Sequence, residues 1–234
     1  MQRYWDERAR LNGAWYVDTS LDFDAPDMHQ FFASGERIVA HALAQVPTTP
    51  GTDRVALEIG CGLGRLCRAL AKAPFGHVIG VDISPEMVQQ ARRLVPECDF
   101  RVNDGSTLDG IADASVDFVL TFTVFQHIPV PDVVHGYVSE IGRVLKPGGS
   151  AYIQWNGSEK SLGWTLRRTL SGMRYRAGLG GDRRGTDAPE FQGSRIEPDV
   201  MRRWLGDSGL VVGALDARGG LWTQASVVKS GPGA

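Results

Sequence analysis

From residue 55 onward the chain alternates short apolar runs with segments whose apolar residues recur every three or four positions. The runs Val55–Ile59, Val78–Val81, Cys98–Val102, Val116–Leu120 and Ser150–Trp155 are bounded by turn residues and read as strands. Between them, Arg65–Lys72 carries Leu66, Ala69 and Leu70 at helical spacing. Ser84 and Pro85 supply an N-cap and a first-turn proline for a helix through Leu94. Pro131 opens a longer helix with Val133, Val134, Tyr137, Ile141, Val144 and Leu145 on one face, and the LKPGG run stops it. Pro198–Leu205 predicts another helix, and Val211–Leu215 and Leu221–Val228 bring the strands to seven. Strands joined by crossover helices predict an α/β fold with a doubly wound, mostly parallel sheet.

Two segments break the alternation. Residues 1–50 hold Tyr4, Trp5, Trp15, Tyr16, Phe23, Phe31 and Phe32 ahead of a helix expected at Gly35–Leu43, and predict a helical cover. Asn156–Glu197 is too long for an ordinary connection and predicts an inserted lid. The organisation expected is therefore a cover (1–50), a core (51–155), a lid (156–197) and a closing helix and strands (198–234), all within a single domain.

Charge refines this picture at one place. The chain has 234 residues and a net charge of −2, yet the window Lys160–Arg184 holds seven basic residues (Lys160, Arg167, Arg168, Arg174, Arg176, Arg183 and Arg184) against the one acid Asp182. That asymmetry suits either a positive rim for an anionic substrate or acidic carrier, or a solvated lid. The chain as a whole lacks polyelectrolyte character, so nucleic acid is disfavoured as a partner. No apolar run approaches the roughly 20 residues of a membrane span, and MQRYWDERAR lacks a signal peptide's apolar region. Cys61, Cys67 and Cys98 have no CxxC spacing, which points to reduced thiols in a cytoplasmic protein, with neither a disulfide scaffold nor a metal site. Monomer and homodimer stay open.

The most specific stretch is ALEIGCGLGRL, Ala56–Leu66. Nicotinamide-binding turns use G-x-G-x-x-G, whose third glycine lets helix pack on strand. Here Gly60, Gly62 and Gly64 are spaced G-x-G-x-G, and Arg65 occupies the place of that third glycine. Glu58-x-Gly60-x-Gly62-x-Gly64 resembles the first motif of class I S-adenosylmethionine-dependent methyltransferases. The resemblance extends to Asp82 closing the second strand, Asn103-Asp104-Gly105 after the third, VDFVLTFTVFQHIP at the fourth and RVLKPGG before the fifth. It implies a Rossmann-like seven-stranded fold and S-adenosylmethionine as cofactor, with S-adenosylhomocysteine as product. It also implies that Asp82 accepts the ribose hydroxyls and that Asn103, Asp104 and Gly105 read the adenine. Ile83, Met87 and Thr121 would lie beside the cofactor, Glu58 would meet its ammonium or order the turn, and Arg8 from the YWDERA lead-in would pair with its carboxylate. Bare glycine backbone suits so bulky a zwitterion, and an ionised Asp82 is an acceptor matched to two hydroxyls.

Methyl transfer asks the protein to align the acceptor and to take a proton where needed. His127, just beyond the fourth strand, is the candidate base, or else a residue that braces its loop by hydrogen bonds. Thr121-Phe122-Thr123-Val124-Phe125 lacks the N/D-P-P-Y/F signature of enzymes that methylate exocyclic amines of DNA. The acceptor expected is a small molecule methylated on oxygen or nitrogen, bounded by Trp15, Tyr16, Phe125, Asn156 and Arg195, with Phe122 as a further wall. The rival readings are an RNA or protein methyltransferase docking through the arginine-rich insertion, and a non-catalytic cofactor-binding subunit.

Overall fold

The apolar runs form one seven-stranded sheet. Its strands are β1 (Val55–Ile59), β2 (His77–Asp82), β3 (Asp99–Val102), β4 (Val116–Thr121), β5 (Leu145–Trp155), β6 (Leu210–Leu215) and β7 (Thr223–Lys229), in the order β3-β2-β1-β4-β5-β7-β6. The first five are mutually parallel, and β7 runs antiparallel to both β5 and β6. The computed structural model describes residues 1–48, 50–73, 75–158, 185–186, 188–216 and 220–231, with 166, 169, 170 and 173. The arginine-rich part of the expected lid lies outside the described residues.

The helices are α1 (Gln2–Val17), α2 (Met28–Ala44), α3 (Arg65–Lys72), α4 (Pro85–Leu94), α5 (Pro131–Val144), α6 (Pro189–Gln192) and α7 (Pro198–Asp207). One sheet face is covered by α2, α3 and α4 through Val39, Leu66, Leu70, Val88 and Ala91. The other is covered by α5 and α7 through Val134, Val138, Ile141, Met201 and Leu205. Both faces of β4 are thus dry, which is why its sequence is apolar apart from Asp117 and the closing Thr121. Chain direction diverges between β1 and β4, so a crevice opens above their C-terminal ends.

Several boundaries move for identifiable reasons. α2 starts at Met28, well before Gly35, because the Asp27 carboxylate accepts the N–H groups of His29 and Gln30 as an N-cap. The LKPGG run stops α5 and also opens β5. Leu221 and Trp222 sit in the turn before β7 and are about half exposed, at 46% and 51%. α1 kinks at Asn12, whose side-chain oxygen accepts the Trp15 N–H and recaps the second half. Its first half docks on α4, where Asp6 accepts the Ser84 hydroxyl at 2.6 Å and the Glu86 N–H at 3.2 Å.

α5 meets the end of α7 at Gly142, where an added Cβ would overlap the Ser208 carbonyl oxygen. Gly142→Ala is expected to destabilise the fold by about 1–3 kcal/mol, read as a lower midpoint in urea unfolding with an unchanged slope.

Candidate active site

β1 runs into a turn in which Gly60, Gly62 and Gly64 all have positive φ, at +73°, +50° and +79°. Gly64 takes the left-handed conformation as the residue preceding α3, and a Cβ there would come within 2.7 Å of the Phe100 ring. At Gly62 a Cβ would collide with Val17 of α1, so the cover closes directly on bare backbone. Asp82 at the end of β2 organises the same turn. Its two carboxylate oxygens accept the Gly62 and Ser84 N–H groups, each at 2.9 Å. Burial raises the Asp82 pKa, and these N–H donors oppose the rise.

Above the turn lies a small cavity of about 100 Å³ that brings together Gly60, Gly62, Asp82, Ile83, Met87, Asn103 and Gly105 from four separate chain segments. Asn103 is fixed by donating to the Tyr137 hydroxyl at 2.7 Å and the Thr107 carbonyl at 3.1 Å. α1 covers this space with Met1, Trp5, Tyr16 and Val17. The expected residues Arg8, Glu58, Gly64, Asp104 and Thr121 are not on its wall. Arg8 places its guanidinium over the Tyr4 and Tyr16 rings, 3.6 Å from Glu7. Asp104 is exposed and caps its own turn, accepting from the Ser106 and Thr107 N–H groups, and those bonds hold its carboxyl below the usual range. Thr121 is wholly buried between β1 and β5.

Glu58 lies behind the turn in the core. One carboxyl oxygen has no hydrogen-bond partner among the described residues, and burial pushes its pKa up to about 8 against the Cys67 thiol donor and the Arg65 charge. Glu58 thus sits behind the glycine turn, off the wall of the cavity.

A second cavity of about 930 Å³ opens beside the first. Tyr16, Val17, Thr123 and His127 line both, so these four form the boundary between them. Thr123 is strained: a β-branched residue at φ +59° costs on the order of 1–3 kcal/mol. Gln154 holds it there by accepting the Thr123 N–H at 2.6 Å. The Gln154 amide nitrogen donates to Gln126 Oε1 at 2.9 Å and to the Leu221 carbonyl at 2.7 Å. Gln126 in turn donates to His127 Nε2 at 3.1 Å, and His127 Nδ1–H donates to the Phe191 carbonyl of α6 at 2.6 Å. Both ring nitrogens are occupied, and burial lowers the His127 pKa to about 4. His127 is a neutral, oriented ring held against Trp5 and Phe191, the arrangement expected of a loop brace.

Of the expected acceptor residues, Tyr16 and the further wall Phe122 face the larger cavity. Trp15 is instead packed on Tyr16 and Phe23, and Phe125 is a core residue beside Tyr137. Asn156 is spent locally, its carbonyl accepting Ile196 N–H and its side chain accepting Ser158 N–H. Arg195 is also off the wall of the described cavity. Residues the sequence did not flag include Asp18, Ser34, Gln126, Gln154 and Trp222. Arg65 was legible only as a break in a glycine pattern; here its guanidinium is buried against Asp18 Oδ2 at 2.7 Å and Ser34 Oγ at 3.0 Å.

Residues 57–153 match the model of the methyltransferase domain family, and over that core the chain is similar to methyltransferases. It is 32% identical over 160 residues to the 2-methyl-6-phytyl-1,4-hydroquinone methyltransferase of Synechocystis sp., covering 65% of this chain and 49% of that one. The fold is similar to magnesium protoporphyrin IX methyltransferase from Synechocystis, solved with bound S-adenosylhomocysteine, at a TM-score of 0.61, 20% identity and 98% coverage of each chain. It is also similar to the methyltransferase in a complex with the Trm112 activator from Haloferax volcanii, at 0.62 and 23% identity over 94% and 97% of the two chains. The chain spans half or less of the length of the first curated relatives it matches. Among the described residues no helix is long and apolar enough to cross a membrane, and no cluster fit to hold a metal occurs.

Two outcomes follow from the buried polar groups. An unfolded Glu58 ionises near its ordinary value of 4.5 whereas the folded one does so near 8, so the folded state binds the extra proton between those limits. Wild-type stability relative to Glu58→Gln should therefore fall as pH rises from about 4.5 to about 8, a trend that paired urea melts across this range will show or refute. Gln154→Leu should release Thr123 and His127 and cost about 2–4 kcal/mol in the same assay; a cost below about 1 kcal/mol would mean that the amide chain holds nothing in place.

Proposed function

We propose that the protein transfers the methyl group of S-adenosylmethionine to an oxygen or nitrogen of a small molecule bound in the larger cavity. The observation that carries this reading is the junction of two spaces at Tyr16, Val17, Thr123 and His127. One space is built from the residues of the family's cofactor motifs, and the other has the size of a small-molecule site. Relatives support it: the Synechocystis relative is named for a hydroquinone acceptor.

The residues fit that cofactor. Asp82 presents acceptors to a ribose, and Asn103 and Gly105 flank the space for an adenine. The glycine turn offers bare backbone to the amino-acid end, while Trp5 and Met1 exclude water. When bound, S-adenosylmethionine supplies an activated methyl: its S–C bond breaks as the acceptor's O–C or N–C bond forms, leaving a neutral thioether and one proton for the acceptor to shed. Tyr16, Thr123 and His127 orient the acceptor at the boundary. With the His127 nitrogens engaged, alignment and water exclusion provide the rate enhancement, and the proton leaves to solvent. The free thiols of Cys61, Cys67 and Cys98 support a cytoplasmic setting.

Labelled methyl from S-adenosylmethionine should pass to the small-molecule fraction of a source-cell extract. Label confined to RNA or protein would overturn the acceptor class. Asp82→Ala should weaken S-adenosylhomocysteine binding by at least about tenfold in calorimetry; unchanged affinity would remove the ribose role.

A further inference from the structure

The larger cavity has an unbalanced charge. Among its described lining residues, Asp18 and Arg65 form an ion pair at 2.7 Å with side chains only 11% and 5% exposed. Asp18 has no capacity to spare. Its Oδ2 also accepts the Ser34 hydroxyl at 2.7 Å, and its Oδ1 accepts the Ser20 hydroxyl at 2.6 Å. The pair is neutral overall and turned inward. Arg37 is different: it lies on the same stripe of α2 as Ser34, Ile38 and His41, all facing this cavity at helical spacing. It is exposed, with no hydrogen bond or ion pair to any described residue.

Another part of the wall is aromatic. Phe122 stacks on Trp222 with centroids 5.8 Å apart and planes 25° from parallel, and Leu221 extends the apolar surface. Trp222 and Leu221 are held in that half-exposed turn partly by the Gln154 bond to the Leu221 carbonyl. Among its described residues the cavity thus combines a stacked aromatic pair, the guanidinium of Arg37 and a boundary with the cofactor space.

Resting on the proposed function, we infer that the acceptor is an aryl carboxylic acid. Its ring lies on the Phe122–Trp222 platform, its carboxylate pairs with Arg37, and its hydroxyl or amine points to the boundary at Tyr16, Thr123 and His127. A guanidinium fork matches a carboxylate with two parallel N–H donors. Among the described lining residues Arg37 is the cation left for a carboxylate. About 930 Å³ accommodates a one- or two-ring body of this kind. In the transfer the S–C bond breaks and the ring hydroxyl's O–C bond forms, with the hydroxyl proton passing to solvent; the carboxylate is unchanged.

The test pairs hydroxylated benzoic, cinnamic and naphthoic acids with their own methyl esters. Binding to the protein loaded with S-adenosylhomocysteine is measured by calorimetry, and methyl transfer with labelled S-adenosylmethionine. The acids should bind and react at least about tenfold better than the esters. Arg37→Ala should lose about tenfold more on acids than on esters, Arg37→Lys should recover part of the difference, and all three proteins should bind S-adenosylhomocysteine alike. Esters equal to acids in the wild type, equal losses on both in Arg37→Ala, or no binding by any member of the series would overturn the inference while leaving small-molecule transfer intact. Label found only in RNA or protein of the cell extract would instead overturn the reading beneath it.

Discussion

The buried contact between Arg65 and Asp18 couples the two halves of the site. Arg65 is the first residue of α3, immediately after the glycine turn, and Asp18 immediately follows α1. Removing two charges from water is costly, and such a pair adds little net stability compared with apolar packing. Its contribution is positional: only one placement of the cover satisfies both partners. Burial pulls the Arg65 pKa down and would raise that of Asp18, yet Ser20, Ser34 and the guanidinium together hold Asp18 below its ordinary value. Asp18 is therefore a carboxylate at neutral pH, and its contact with Arg65 fixes where α1 crosses the turn. Val17, one residue away, then occupies the space that a Cβ on Gly62 would need.

The sheet was legible because its order rests on local periodicity. The five parallel strands, the helices α3, α4, α5 and α7, and the glycine turn all followed from runs, caps and stop residues. The start of α2 was less legible, because Asp27 is one of several acids in that stretch and only its bonds to His29 and Gln30 single it out. The site divided along the same line. Gly60, Gly62, Asp82, Ile83, Asn103 and Gly105 follow or close strands, where topology alone brings them together. Side-chain direction is not encoded in spacing, so Glu58, Asp104 and Thr121 occupy motif positions yet point into the core, the solvent or the sheet.

The acceptor side was nearly silent in the sequence. Gln154 is one polar residue in an apolar strand, and its role depends on reaching Thr123 in one direction and Gln126 and Leu221 in the other. A buried amide with donors and acceptors in fixed places tolerates few arrangements of its neighbours, which is how it sustains the left-handed Thr123 and the tautomer of His127. Trp222 was read as strand, but the turn before β7 leaves its indole half exposed beside Phe122.

Tyr16 and Val17 close α1 and belong to the walls of both cavities, so neither space can be filled without acting on the same helix end. A ligand that favours the docked position of α1 from one side lowers the cost of docking for a ligand on the other. Thermodynamic linkage makes this exchange symmetrical, each occupant tightening the other by one common factor. On the proposed function, methyl transfer would change the charge of one occupant and the bulk of the other together, and with them that common factor. The final turn of one helix is thus a wall that both occupants of the proposed reaction would share.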